Sequence, residues 1–327
     1  MPLPASPIEI SGTQGVMKKT MPLVSVIMPV HSAGKFLVPA IESILKQTYP
    51  RFELIIVNDG STDASWRTIC AYRKKCAGKI KAFRSKTKLN EAGNAATNIG
   101  LLHAKGQFIA RMDADDIAHP KRLEKQVAYF ATRPGTILVG TQALVIDERS
   151  RCIGEKTVPL ENGDIYRQYA VIHPIIHPSV MINRNMLPDP NMLYACKYGI
   201  NDDYYTFFKL LPYGKFANLP ETLIKYRVHT GNSSLTNLKQ NFWNINTIRW
   251  EAISKLNYQA PLWVFPLILL QTAIVAFLQE NQLKELFYYI RGIKKLSIKF
   301  RFPEFETRQF RESVMEKIKS YAATFLA

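Results

Sequence analysis

The chain has 327 residues, 47% of them hydrophobic, and a formal net charge of +17. That is enough apolar material for one large core, or for a domain with an appendage. The basic excess suits anionic lipid or phosphorylated substrates. Nucleic acid is not expected, because the Lys and Arg residues are spread along the chain and form no zinc-finger, RNA-recognition or basic-zipper pattern. Cys70, Cys76, Cys152 and Cys196 have neither metal-ligand spacing nor the density of a disulfide framework, which points to a reducing compartment. A positively charged start followed by a long apolar core is missing, so no secretory signal is expected.

Residues 1–22, rich in Pro, Ser, Gly and Thr, read as a mobile tail. From Leu23 the pattern alternates. Residues 23–30 are a β-branched strand, and residues 35–47 have helical spacing, with Phe36, Leu37, Ala40, Ile41, Ile44 and Leu45 on one face. A second apolar strand, residues 52–59, ends in Asp59-Gly60-Ser61-Thr62-Asp63, where Thr62 or Asp63 caps a helix to about residue 75. A short strand at 80–84, a helix at 93–104, a strand at 107–112 and a helix from Pro120 to about residue 132 follow. This order predicts an α/β fold with a doubly wound, mainly parallel sheet and flanking helices. Strands at 137–146, 180–183 and 223–228 and a helix at 201–211 complete the expected set.

The strand at 107–112 runs into Asp113, Asp115 and Asp116. Clustered carboxylates repel unless a cation lies between them, and hard oxygens suit Mg²⁺ or Mn²⁺, which usually also hold a substrate phosphate. A bare Asp-x-Asp is more often a solvated turn or helix cap. The second acidic strand end, at Asp59, is what argues for a ligand crevice at one edge of the sheet.

Several motifs occur in one order. They are Val24-Ser-Val-Ile-Met-Pro-Val-His31, Ser43-Ile-Leu-Lys-Gln-Thr-Tyr-Pro50, Glu53-Leu-Ile-Ile-Val-Asn-Asp-Gly-Ser-Thr-Asp63 and Arg111-Met-Asp-Ala-Asp-Asp-Ile117. Pro120-Lys-Arg-Leu-Glu-Lys-Gln-Val127, Asn201-Asp-Asp-Tyr204 and Tyr226-Arg-Val-His229 follow them. Together, over residues 23–233, the chain resembles the family 2 glycosyltransferases of bacterial cell-envelope glycan synthesis. The resemblance implies a GT-A fold, a nucleotide-diphosphate sugar donor of the UDP-sugar kind, Mn²⁺ or Mg²⁺, inversion at the anomeric carbon, and a glycan or lipid-linked acceptor hydroxyl. It divides the chain into a tail (1–22), a transferase domain (23–237) and a C-terminal helical region (238–327).

Roles follow residue by residue. Asp59 accepts the N3–H of uracil, unless it is only a turn aspartate bonded to its own backbone. Pro29, Val30 and His31 line the base or ribose pocket, though a plain loop role for His31 stays open. Asp115 is the direct metal ligand, and Asp113 holds ribose or sugar hydroxyls with a water bridge to the ion. Asp116 supports the loop or caps the next helix. Arg111 contacts donor phosphate or ribose. Arg227 and His229, on alternate strand positions, face one side, Arg227 toward phosphate and His229 toward metal or diphosphate. Asp203 is the base, taking the acceptor's proton. Asp202 stands where the family usually has Glu, on the acceptor side with His177. His173, which also precedes a proline, marks an extended turn. Thr97 stands where the family often has Arg, which leaves Lys88 as a substitute for its phosphate contact. Asn98 is placed near the nucleotide.

Two other functions compete. A nucleotidyltransferase would need a Gly-rich basic loop after the first strand, which is missing. A sugar-nucleotide sensor without catalysis would not need Asp59, Asp113, Asp115 and Asp203 together. Residues 260–278 form an apolar run of about 19 residues, the lower edge of what spans a bilayer. Lys284, Arg291, Lys294, Lys295, Lys299 and Arg301 follow, interleaved with Phe287, Tyr288, Ile290 and Leu296. The expectation is peripheral attachment to the inner face of the cytoplasmic membrane, with a single span or a packed core helix as alternatives.

Overall fold

The computed structural model describes residues 21–89, 91–229, 231 and 237–290. All of them fall in one compact unit, Met1–Lys295; a second unit, Leu296–Ala327, lies outside them. The tail (residues 1–20), residues 232–236 of the Gly-Asn-Ser-Ser loop, and Arg291, Lys294, Lys295, Leu296, Lys299 and Arg301 also lie outside the described residues.

The elements run β1 (Val24–Val30), α1 (Leu37–Leu45), β2 (Phe52–Asp59), α2 (Ser65–Lys75), β3 (Ile80–Ser85), α3 (Asn94–Leu102), β4 (Phe108–Arg111), β5 (Ile117–Ala118) and α4 (Arg122–Thr132). Then come β6 (Thr136–Ile146), β7 (Cys152–Lys156), α5 (Asn162–Gln168), β8 (Met181–Asn183), α6 (Asp202–Leu210) and β9 (Lys215–Arg227). Helices α7 (Leu238–Lys255), α8 (Val264–Phe277) and α9 (Glu280–Ile290) close the described chain.

Among the described residues there is one sheet, of order β3-β2-β1-β4-β8-β6-β9-β5, with β7 on β6. Strands β3, β2, β1 and β4 are parallel, and β6 runs parallel to β9 over a long register. The antiparallel pairings, through β5, β7 and β8, are short. β1 and β2 are buried at every position, as continuous Val/Ile runs in a parallel sheet must be. One face packs Val26, Met28 and Val30 against Leu37, Ile41 and Ile44 of α1; the other packs Ile27, Ile55 and Val57 against Ala96 and Leu101 of α3. Because the chain winds from β1 to β2 and β3 on one side and to β4 on the other, the order reverses at β1, and a crevice opens at the carboxyl ends there. The N-cap of α2 is Ala64, with no side-chain cap bond, rather than Thr62 or Asp63; Asp63 just before it ties the turn, its Oδ1 accepting from Ser65 N and its Oδ2 from Gly34 N at 2.9 Å each.

A second core joins Tyr169, Phe207, Phe208 and Phe216 to Ile248 of α7 and Val264 of α8. It is built partly from elements that the sequence pattern does not reveal. β5, β7 and α5 were not anticipated, and β9 starts at Lys215 rather than 223. Pro220 hides its first half, and the pairing with β6 shifts register there, between Thr141 and Gln142, which is where a strand tolerates proline. The apolar run at 260–278 forms the 14-residue α8, in which only Val264 and Ile268 are buried. No helix among the described residues is long and apolar enough to cross a membrane.

Candidate active site

β2 ends on Asp59, and the chain must turn at once. Gly60 takes φ +63°, and a Cβ there would lie 2.4 Å from Lys88 N, so glycine is needed for both conformation and space. The turn buries Asp59, whose Oδ1 accepts from Leu89 N at 2.7 Å while Oδ2 is buried without a partner. Burial pushes the Asp59 carboxyl up from its ordinary range. His31 Nδ1 lies 2.6 Å from the Asp59 carbonyl oxygen, and Pro29, Val30, His31 and Lys88 line the crevice beside it. Gly93, at φ +65°, lets Pro29 approach; a Cβ would stand 2.8 Å from Pro29 Cβ.

β4 delivers the second acidic group. Arg111 is buried, with Nε donating to Asp113 Oδ1 at 2.8 Å and its other nitrogens to Ala92 O at 3.0 Å and to the Thr97 hydroxyl. Thus Thr97, in place of the family's frequent Arg, serves as acceptor for Arg111. Arg122, fully buried at the start of α4, donates to Arg111 O at 2.7 Å and Val180 O at 3.2 Å; burial pulls it down to about 10. Its role as the clamp on this strand end was not read from the sequence, although it lies in the Pro120-Lys-Arg-Leu motif. Asp116 supports the loop: its Oδ1 accepts from Arg227 N at 2.8 Å. Burial, then the nearby Asp115 and Asp113, push its carboxyl well up.

Asp113, Asp115 and His229 line the crevice, and His229 Nε2 lies 3.0 Å from Asp115 Oδ2. No group of three His, Cys, Asp or Glu side chains among the described residues gathers to hold an ion alone. The donor set nevertheless fits a hard divalent cation. Such ions are commonly held by one or two carboxylates, with substrate phosphates and water completing the shell. Asp115 with His229, and Asp113 nearby, supply that partial set.

Asp203, which also lines the crevice, stands in the first turn of α6. Its Oδ1 accepts from Tyr204 N at 2.8 Å, and Oδ2 is 3.2 Å from His173 Nε2 and 3.5 Å from His177 Nδ1. The His173 contact is not an aligned hydrogen bond. Burial would raise the Asp203 carboxyl, but the two imidazoles outweigh it and hold it well below the usual carboxylate range. Burial and the Arg111 charge lower His177 to about 4, so it is neutral near pH 7; it is hydrogen-bonded to the Tyr194 hydroxyl.

Three expected site residues are not brought to the crevice. Asn98 uses both ends of its amide on the 193–194 segment: Nδ2 donates to Tyr194 O at 2.7 Å, and Oδ1 accepts from Leu193 N and Tyr194 N at 3.1 and 3.0 Å. Asp202 is fully buried, its Oδ1 accepting from Lys197 N and Tyr198 N at 2.8 Å each, so it ties a turn instead of facing an acceptor. Arg227 is buried behind the acidic loop, donating to Asp115 O and Asp147 O at 2.7 Å each and stacking over Phe36. It positions the loop and does not reach toward a phosphate in the crevice. His173, in contrast, is more than a turn marker. The only signal was its His-Pro dipeptide, repeated at His177-Pro178.

A family model described as Glycosyl transferase family 2 matches residues 25–194. The chain belongs to that family. It is 33% identical over 230 residues to an uncharacterized glycosyltransferase of Haemophilus influenzae, covering 67% of this chain and 70% of the relative. The O-antigen biosynthesis glycosyltransferase WbnJ of Escherichia coli is 30% identical over 216 residues, covering 64% of this chain and 82% of WbnJ. Among solved structures, Staphylococcus aureus TarS 1-349 in complex with UDP aligns with TM-score 0.53 at 20% identity, covering 69% of this chain and 64% of that one. Mannosyltransferase PcManGT from Pyrobaculum calidifontis, in complex with GDP-Man and Mn²⁺, aligns with TM-score 0.53 at 16% identity, covering 83% and 86%. These likenesses establish the GT-A fold, and the chain is a glycosyltransferase.

Proposed function

We propose that this glycosyltransferase moves a sugar from a UDP-sugar to a glycan or lipid-linked acceptor hydroxyl, with inversion and with Mn²⁺ or Mg²⁺. The observation that carries the reading is the gathering of two acidic groups in one crevice, Asp59, Asp113 and Asp115 from the strand ends and Asp203 from the start of α6. Asp59 Oδ2, buried and unpartnered, accepts the N3–H of uracil. Asp115 and His229 hold the cation, with Asp113 on ribose or sugar hydroxyls. Bound there, the ion supplies neutralisation of the charge that grows on the departing diphosphate. Asp203 takes the proton of the acceptor hydroxyl as its oxygen attacks the anomeric carbon. The bond from that carbon to the diphosphate oxygen breaks on the opposite face, and UDP leaves with the electron pair. No sugar–enzyme bond forms.

The nucleotide- and Mn²⁺-bound fold neighbours support a nucleotide-sugar donor with a divalent cation, and the O-antigen relative supports a cell-envelope acceptor. The test is UDP and GDP release from a panel of nucleotide sugars with Mn²⁺, followed by NMR of the product anomer. Retention of configuration, or binding without turnover for every donor and acceptor, would replace the reading, the latter by a sensor.

We assign residues 23–237 to the transferase domain and 238–327 to a region that rests on the inner face of the cytoplasmic membrane. Leu262 and Trp263 just before α8, and Leu269 and Leu270 on it, are 85%, 46%, 70% and 57% exposed. An apolar face of that kind supports shallow insertion beside a basic C-terminal sequence. Full-length protein is expected to float with phosphatidylglycerol vesicles, and the Leu269→Asp, Leu270→Asp double variant to stay behind; equal flotation of both removes α8 from the contact.

A further inference from the structure

Asn201 occupies the N-cap position of α6, two residues before Asp203. Asparagine is favoured at such a position because its side chain can accept from the first helix amides. Here the side chain makes no cap bond. The residue is 8% exposed and lines the crevice with Ile200 and Asp203, and its Nδ2 is buried without a partner. A buried amide donor left unmatched costs stability unless a ligand oxygen meets it. The missing partner is therefore a hydrogen-bond acceptor that enters beside Asp203.

The turn that carries Asn201 is held by its own backbone and by two neighbours. Asn201 N donates to Tyr198 O at 3.1 Å, Asp202 Oδ1 accepts from Lys197 N and Tyr198 N at 2.8 Å each, and Asn94 Nδ2 donates to Gly199 O at 3.3 Å. A further tie comes from α7. Glu251 accepts from Lys197 Nζ at 2.9 Å, from Tyr205 Oη at 3.3 Å and from the Tyr198 hydroxyl, and its side chain is 12% exposed. An ion pair in open solvent would hold little, but three donors on one largely buried carboxylate fix a geometry. Lys197 and Tyr198 precede Asn201, and Tyr205 follows Asp203. One carboxylate thus ties both flanks of the pair that faces the crevice. Glu251 lies outside residues 25–194 of the family match.

We propose that Asn201 determines acceptor specificity, its Nδ2 donating to the hydroxyl next to the one that Asp203 deprotonates, and that Glu251 is the positioning residue that holds it there. The acceptor class this selects is a sugar with free hydroxyls on adjacent carbons. The inference rests on the transferase reading, because Asn201 stands beside the acceptor only if Asp203 is the base.

The test measures UDP release by full-length protein with Mn²⁺. The donors are UDP-glucose, UDP-galactose and UDP-N-acetylglucosamine; the acceptors are the octyl β-glycosides of glucose, galactose and N-acetylglucosamine, below their micellar concentrations. The accepted glycoside is then compared with its monodeoxy forms. Wild type is expected to lose about tenfold or more in kcat/KM when the hydroxyl beside the reacting one is removed. Asn201→Ala should lose a similar factor on the intact acceptor and nothing further on that deoxy form, with UDP affinity unchanged. Glu251→Ala should shrink the deoxy penalty, and Glu251→Gln, which keeps the shape and an oxygen acceptor, should restore part of it; these two serve where the Asn201 variant fails to fold. A deoxy penalty equal to wild type in every folded variant would overturn the inference. So would a tenfold loss of UDP affinity in Asn201→Ala, which would turn the amide toward the donor. No transfer to any glycoside by wild type with UDP bound would remove the sugar-acceptor reading and this inference with it, whereas failure of UDP to bind would count against the donor assignment.

Discussion

On one wall of the crevice, Asp59, Asp113 and Asp115 stand at or just past the ends of β2 and β4, and backbone amides and an arginine two residues away fix their geometry. On the other wall, Asp203 meets His173, His177 and, through the latter, Tyr194, groups scattered over loops and packed together only by the second core. The first wall is a consequence of parallel-sheet topology, so an acid there can be exchanged with little damage to the core. On the second wall each group's protonation is set by its tertiary neighbours. A substitution at one therefore changes the chemistry of the next. The two walls should fail in different ways.

Asp115→Asn tests the first wall and should have the largest effect. Its side chain is partly exposed and contacts His229, so thermal stability should stay close to wild type. Transfer should fall by a factor on the order of 10² or more, because stabilisation of the departing charge is lost. Mn²⁺-dependent UDP binding should go with it. A variant that binds Mn²⁺ and UDP like wild type would move the ion elsewhere.

Asp203→Asn should separate the walls: turnover lower by roughly 10² or more, the scale of a lost general base, with UDP affinity unchanged. Equal loss of UDP affinity would show that the walls are not independent. A smaller and more specific effect belongs to His173→Gln. Burial alone raises the Asp203 carboxyl, and the imidazoles bring it well below the usual range. A base held low stays ionised as pH falls. With His173 gone the burial effect is opposed by less, the pKa rises, and the acid limb of kcat/KM should move to higher pH. An unmoved limb would take His173 out of the control of Asp203.

The first wall was also the legible one. An unbroken Val/Ile run that stops at an acid, as in Phe52–Asp59, encodes both the buried strand and the position of its carboxylate, because strand direction fixes which end meets the crevice. Asp203 was placed by its motif and His177 on the same acceptor side, but His173 and Tyr194 were not. His173 lies in a proline-bounded loop without periodicity, so nothing local says what it faces. Asp202 and Arg227 were misread for the same reason. Residue type gave their charge correctly, but the direction of each side chain was decided by backbone groups distant in sequence, Asp147 O for Arg227 among them.

Asn98 is the mildest case and the one where the two walls touch. It was expected beside the nucleotide, and the structure instead hangs the 193–194 segment from it, with Tyr194 in turn on His177. Asn98→Ala removes these bonds and leaves backbone groups of that segment to find water, which costs about 1–3 kcal/mol for an unmatched buried polar group. The expected outcome is a lower unfolding midpoint in urea with an unchanged slope, and UDP affinity equal to wild type. Turnover should fall only a few-fold, since Tyr194 reaches the base through His177 rather than directly. The opposite pattern, a tenfold loss of UDP affinity at unchanged stability, would return Asn98 to the nucleotide.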